Sequence, residues 1–356
     1  MIKKAFVICS CLLALMMASC GPKDPIEPDQ VTIGKGVFVI NEGNFTYANS
    51  SLTFYNPETD TVANNLFYRI NGAPIGDVGQ SLALIDKYLY IVVNNSNYIY
   101  KVNAGTMVCD TTKPYMLTDF VQPRYMLPVA PDKAYVSDLA STELWIVNPK
   151  DMTHTGSVNM NKATETMVQV GNELYVTNWS KSYVSMENNT VQVVDINNNI
   201  KVEDIRVGLE PNGMVVDKYG MVWVLCEGAI WTAAAEDPTL WRINPMTKQA
   251  VCVTTFTKEE GAMNLAVDPS GTYLYYFLGG DVHRMNVDTP EAEDNFVIAS
   301  EGKMFYKIAV NPENGDIYIT DAKTYVQNGT VYRYSSDGVL LSSFDAGICP
   351  GFMLFN

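Results

Sequence analysis

Leu174-Tyr175-Val176-Thr177-Asn178 is one copy of a short apolar run that returns along the whole chain. The other copies are Phe38-Val39-Ile40-Asn41, Tyr90-Ile91-Val92-Val93-Asn94, Tyr135-Val136-Ser137-Asp138, Trp223-Val224-Leu225-Cys226, Tyr275-Tyr276-Phe277-Leu278 and Tyr318-Ile319-Thr320-Asp321. Seven copies at intervals of about 40 to 50 residues have the period of propeller blades. Each run is aromatic or β-branched and most end in Asn or Asp, the composition of a strand that meets a turn.

The segments around each copy share one grammar. A preceding apolar run leads in, as in Met214-Val215-Val216-Asp217, Leu265-Ala266-Val267-Asp268 and Ile308-Ala309-Val310-Asn311. Turn residues separate the two, for example Asp268-Pro269-Ser270-Gly271 and Asn311-Pro312-Glu313-Asn314-Gly315, whose dihedral preferences suit tight reversals. A third strand follows in Leu144-Trp145-Ile146-Val147-Asn148, Leu240-Trp241-Arg242-Ile243-Asn244 and Val331-Tyr332-Arg333-Tyr334. A weaker fourth closes the unit, as in Ala250-Val251-Cys252-Val253. Four strands per repeat make an all-β, seven-bladed β-propeller. The first unit opens at Gly36-Val37-Phe38-Val39 without its innermost strand, and the chain ends on a spare one, Met353-Leu354-Phe355. Blade one is therefore predicted to be closed by the C-terminal strand, which removes two open edges. A β-sandwich or a solenoid leaves these complementary ends unexplained.

The N-terminus has a different character. Lys3 and Lys4 precede an apolar stretch from Ala5 to Ala18, and Met17-Ala18-Ser19-Cys20 follows, the pattern of a secretory signal. The stretch resembles a bacterial lipoprotein signal, which implies lipidation of Cys20; an ordinary secretory signal is the alternative. Several acyl chains on one residue anchor a protein firmly, whereas one is marginal. Residues 1–19 are thus read as signal, 20–33 as a proline- and acid-rich flexible tether, and 34–356 as the propeller. The acidic stretch after Cys20 resembles the export signal of Bacteroidetes surface lipoproteins, which implies an outer-membrane, cell-surface location.

Composition narrows the function. The chain has 356 residues, 47% apolar and 18% charged, enough for a large core. Its formal charge of −15 argues against nucleic acid as a partner. Two histidines, His154 in a turn region and His283 in a third strand, do not supply a histidine-rich metal site, and no Gly-x-Ser-x-Gly elbow or His-Glu-x-x-His motif is present. No metal site and no cofactor are predicted. Cys109, Cys226, Cys252 and Cys349 have no zinc spacing; buried thiols and disulfides both remain open.

Aligning the repeats puts two rings of residues on one face of the disc, where loops are held by rigid strands. The ring after the second strands holds Asn41 and Glu42, Asn94 and Asn95, Asp138, Asn178 and Trp179, Cys226 and Glu227, and Asp321. The ring at the entry to the first strands holds Gln80, Arg124 and Tyr125, Glu165, Asn212, Asn264, and Tyr306 with Lys307. Asn and Asp at strand ends commonly bond their own loop backbone, so the first ring has a structural explanation. The second is chemically uneven, which structure alone does not require. The predicted ligand-binding set is Glu42, Gln80, Asn95, Arg124, Tyr125, Asp138, Glu165, Asn178, Trp179, Asn212, Glu227, Trp231, Asn264, Tyr306, Lys307 and Asp321. Long loops at 41–51, 178–189 and 227–239 add Phe45, Tyr47, Trp179, Tyr183 and Trp231, which either cap a ligand, dock a protein or pack over blade tops.

The run Leu174–Asn178 resembles the Tyr-Val-Thr-Asn signature of the YncE-like propellers, and the likeness extends over nearly all of the mature chain. Val37-Phe38-Val39-Ile40-Asn41-Glu42-Gly43-Asn44 is similar to the start of Bacteroidetes surface lipoproteins of this class, among them the cobalamin-capturing ones. That resemblance implies a corrinoid (cobalamin) as ligand and a TonB-dependent outer-membrane transporter as partner. Amides donate and accept, and Tyr and Trp offer flat apolar area, so the second ring suits a macrocycle rimmed with amides. The binding role stands beside two others: a lactonase- or lyase-type enzyme working through Glu42, Glu165 and Glu227, and a protein- or glycan-interaction scaffold.

Overall fold

The computed structural model describes residues 33–110, 114–116, 120–179, 188–230, 232–233 and 235–356. The signal, Cys20 and most of the tether lie outside them, as do Tyr183 and Trp231. Among the described residues, no helix is long and apolar enough to cross a membrane.

Residues Thr32–Asn356 form one compact unit of seven antiparallel sheets. The second strands of the blades are Val37–Asn41, Tyr88–Val93, Lys133–Asp138, Glu173–Thr177, Val222–Cys226, Tyr273–Leu278 and Ile317–Asp321, so every recurring run is a strand at the same place in its blade. Their inner neighbours are Pro350–Phe355, Gly79–Ile85, Pro123–Ala130, Met167–Val170, Pro211–Val216, Met263–Val267 and Phe305–Val310. These inner strands touch one another in sequence and return to the start, which makes the unit a closed seven-bladed propeller.

The aromatic that opens each run explains the repetition. Phe38, Tyr90, Tyr135, Tyr175, Trp223, Tyr275 and Tyr318 are all buried, and all but Phe38 sit in apolar clusters drawn from two neighbouring blades. Each contributes about 1.5–3 kcal/mol of apolar burial. Several also anchor their polar end: the Tyr90 hydroxyl donates to the Pro149 carbonyl at 2.6 Å and Tyr135 to the Asn199 side chain at 2.7 Å, each in the next blade.

Closure of blade one follows the expectation. Pro350–Phe355 pairs antiparallel with Val37–Asn41, setting Val37 opposite Phe355 and Val39 opposite Met353. The Gly36 and Asn356 backbones bond to each other in both directions. Blade two departs from four strands: its sheet has three, and isolated bridges at Ile99–Tyr115 and Val102–Cys109 occupy the outer position. A helix at Leu66–Asn71 joins blades one and two, ended by Gly72 in the left-handed region, φ 67°, where its N–H meets the Tyr68 carbonyl. His154 lies in the outer strand Thr153–Asn159 rather than in a turn, edge-on to Trp145. Cys109, Cys226, Cys252 and Cys349 are free thiols.

Candidate functional site

The Asn and Asp residues that end the second strands fold back into their own loops. Asp138, fully buried, accepts from the Val121, Gln122 and Ala140 amides and from Trp145 Nε1. Asn178 donates to the Ala163 carbonyl and accepts from Thr190. Asp321 accepts from the Met304 and Lys323 amides. Asn95 donates to Asp77 at 2.6 Å. None of these four is among the cavity-lining residues. Asp138, Asn178 and Asp321 thereby satisfy backbone groups that a turn would otherwise leave unpaired, and Asn95 ties its loop to Asp77 through side chains.

The residues at the entries to the inner strands have another fate. On the same face lies a cavity of about 910 Å³, inside the size range of small-molecule sites. Glu42, Gln80, Arg124, Tyr125, Glu165, Trp179, Asn212, Glu227, Asn264, Tyr306 and Lys307 all line it. A narrower space of about 210 Å³ continues along the axis. Gln80, Tyr125, Thr166, Asn212, Asn264, Lys307 and Phe352, one per blade, surround it.

Three interaction groups organise the cavity. Arg124 forks onto Glu165, with Nε 2.8 Å and Nη2 2.7 Å from its oxygens, and Nη1 donates to Gln80 at 2.5 Å. Its guanidinium also lies over the Trp179 ring, 5.7 Å from the centroid. Across the funnel, the Tyr306 hydroxyl donates to both Glu42 oxygens at 3.0 and 2.9 Å. Glu42 reaches Tyr306 because blade one carries glycine at the ring position: a Cβ on Gly351 would lie 2.7 Å from Glu42 Oε1. In the third group, Asn212 donates to Glu227 at 3.0 Å. Trp179 Nε1 approaches Glu227 without reaching hydrogen-bond geometry and is a buried donor that has no partner among the described residues.

Burial pushes the Glu42 and Glu227 carboxyls above the usual range, and the Lys307 charge only partly offsets this in both. Burial likewise raises the Tyr125 and Tyr306 hydroxyls, which stay protonated donors. Among the described residues, no group of three His, Cys, Asp or Glu side chains converges to hold a metal ion.

Several lining residues escape the repeat alignment. Phe352 and Gly351 belong to the ring, and their signal was available: Pro350-Gly351-Phe352 aligns with Pro123-Arg124-Tyr125 and Pro211-Asn212-Gly213. The mouth adds Phe45, 63% exposed, with Tyr325 and Met304 on the side of blades one and seven, and Ile230 and Lys258–Gly261 on the side of blades five and six. Tyr325 is fixed by Asn44, which donates to its carbonyl at 2.6 Å, and by an edge-on contact with Tyr306.

Fold and cavity together define the class: a closed seven-bladed propeller with an open polar funnel dressed differently on each blade. Residues 35–348 match the family described as "Domain of unknown function (DUF5074)", and the chain belongs to that family. No curated protein matches the chain significantly. Among solved structures it is similar to a quinoprotein alcohol dehydrogenase-like protein from Bacteroides thetaiotaomicron, at 15% identity and TM-score 0.69, covering 91% of this chain and 78% of that one. It is also similar to a periplasmic gluconolactonase from Pseudomonas aeruginosa, at 11% identity and TM-score 0.64, covering 90% and 99%. A putative 6-phosphogluconolactonase from Bacteroides fragilis gives 11% identity and TM-score 0.63, covering 92% and 99%. At these identities the likeness is one of fold, on which many functions are hosted.

Proposed function

We propose that this protein is a lipid-anchored, surface-exposed lipoprotein whose funnel binds a polar organic ligand, a corrinoid such as cobalamin, and passes it to a TonB-dependent outer-membrane transporter. It holds its ligand without transforming it. The observation that carries the reading is the unequal lining of one 910 Å³ cavity by residues from every blade. A repeat needs no such inequality for stability; a ligand without sevenfold symmetry does. Amide, carboxyl and cationic groups lie on the cavity floor, and Phe45 and Tyr325 offer flat apolar surface at its mouth. The signal-like N-terminus and Cys20 support the anchor and the location.

Calorimetry of the purified protein with cyanocobalamin tests the reading. Saturable heat with a Kd at or below the micromolar range is expected; no heat and no thermal shift would remove the corrinoid. A second reading is favoured by one observation, the two raised carboxyls in a cleft, since such groups suit acid–base catalysis. Turnover of a sugar lactone by the purified protein, abolished by Glu42→Gln or Glu227→Gln, would establish that enzyme reading instead.

A further inference from the structure

Lys307 is the cation at the neck of the funnel: it lines both the wide cavity and the axial space below. The other inner cation, Arg124, is committed to Glu165 and Gln80. The Lys307 ammonium lies 5.1 Å from the Tyr306 ring centroid, and among the described residues it has no carboxylate within the 4.0 Å of an ion pair. Glu42 and Glu227 line the same wide cavity as Lys307, and its charge acts on both. The three groups therefore face one another across a gap rather than closing on one another. Glu42 holds the Tyr306 hydroxyl and Glu227 holds Asn212, and their oxygens keep lone pairs in reserve.

A gap with a three-donor ammonium on one side and carboxyl oxygens on the others selects its occupant by chemistry. A carboxylate would pair with Lys307 but bring no donor to the Glu42 and Glu227 oxygens. An ammonium would suit the carboxyls but meet Lys307. A group that carries an acceptor oxygen and N–H donors on one carbon satisfies all three. We propose that the neck recognises an uncharged carboxamide-type group, whose oxygen accepts from Lys307 and whose N–H donates to Glu42 or Glu227. The proposal rests on reading the funnel as a ligand site, and makes Lys307, Glu42 and Glu227 its specificity-determining residues.

Three probes on one pyridine ring, nicotinamide, nicotinate and 3-picolylamine, differ at this group alone. Titration is followed at neutral pH by the indole N–H resonance of Trp179, which lies beside Glu227 and is assigned with Trp179→Phe. Nicotinamide is expected to bind at least about tenfold more tightly than either charged probe, a difference of about 1.4 kcal/mol. Lys307→Met should weaken nicotinamide by a similar factor, and Glu227→Gln should narrow the discrimination against nicotinate. Binding of a charged probe as tight as that of nicotinamide overturns the proposal, and so does binding of none of the three. The corrinoid reading fails separately: nicotinamide preference without cyanocobalamin heat keeps this neck and discards the corrinoid, and the reverse outcome discards the neck.

Discussion

Replacing Arg124 with Met isolates the energetic cost of the funnel's charged floor. The Glu165 side chain is 2% exposed and that of Arg124 13%, so the pair is largely out of water. Met keeps much of the aliphatic volume but removes every N–H that Glu165 and Gln80 receive from Arg124. The loss strands a buried carboxylate, which costs about 3–5 kcal/mol, more than the intact pair ever contributed. A unit spanning Thr32–Asn356 unfolds with an entropy of about 0.7 kcal/mol/K, from the usual per-residue value. The expected fall in Tm is therefore about 4–7 °C by calorimetry. Adding Glu165→Gln to Arg124→Met removes the stranded charge and should recover at least half of the loss, because neighbours in one network are not additive. A fall below about 2 °C, or a double variant no more stable than the single one, would refute the argument that the cost lies in the uncompensated charge.

Other parts of the site give separate outcomes. Burial raises the Glu227 carboxyl above its unfolded value, so its contribution is fully present below the unfolded pKa and is lost as pH rises through the folded one. Glu227→Gln should therefore stabilise the protein by about 0.5–2 kcal/mol on the alkaline side and by little in acid, as denaturant titrations at two pH values will show. Gly351→Ala should displace Glu42 from Tyr306, since the new Cβ would sit 2.7 Å from Glu42 Oε1 and 3.0 Å from its Cγ. The expected result is altered ligand affinity with stability changed by less than about 1 kcal/mol, and no effect of the same change in a Glu42→Ala background. Ellman's reagent followed by peptide mapping should modify exposed Cys252 first. Cys349, buried and with its thiol pushed up to about 11, should lag, and fully buried Cys226 should react only on unfolding.

The blades were legible because their aromatic-led runs do the same packing job each time: Tyr90, Tyr135 and Tyr175 are interchangeable parts between sheets. The rings were legible in position but not in orientation. Asp138 and Asn178 have the same sequence grammar as residues that open onto the funnel, but their side chains turn into loop backbone. Residue type does not encode that choice; the local supply of unpaired amides does. Phe352 sits on the inner strand that blade one borrows from the far end of the chain, so it enters the ring only when Pro350-Gly351-Phe352 is aligned with the Pro-led strand entries of the other blades. Phe45 and Tyr325 were separated by the whole ring in sequence and became neighbours at one lip only through the same clasp.

Local periodicity carried the strand pattern, the blade number and the clasp, because the second strand is buried in the same way in every blade. Tertiary closure decided which charges meet. Glu42 and Tyr306 are 264 residues apart and Arg124 and Glu165 are in different blades, yet each pair shares hydrogen bonds. Such partners are selected by the curvature of the ring and by where a glycine leaves room, and neither quantity is expressed in the order of residues along one blade.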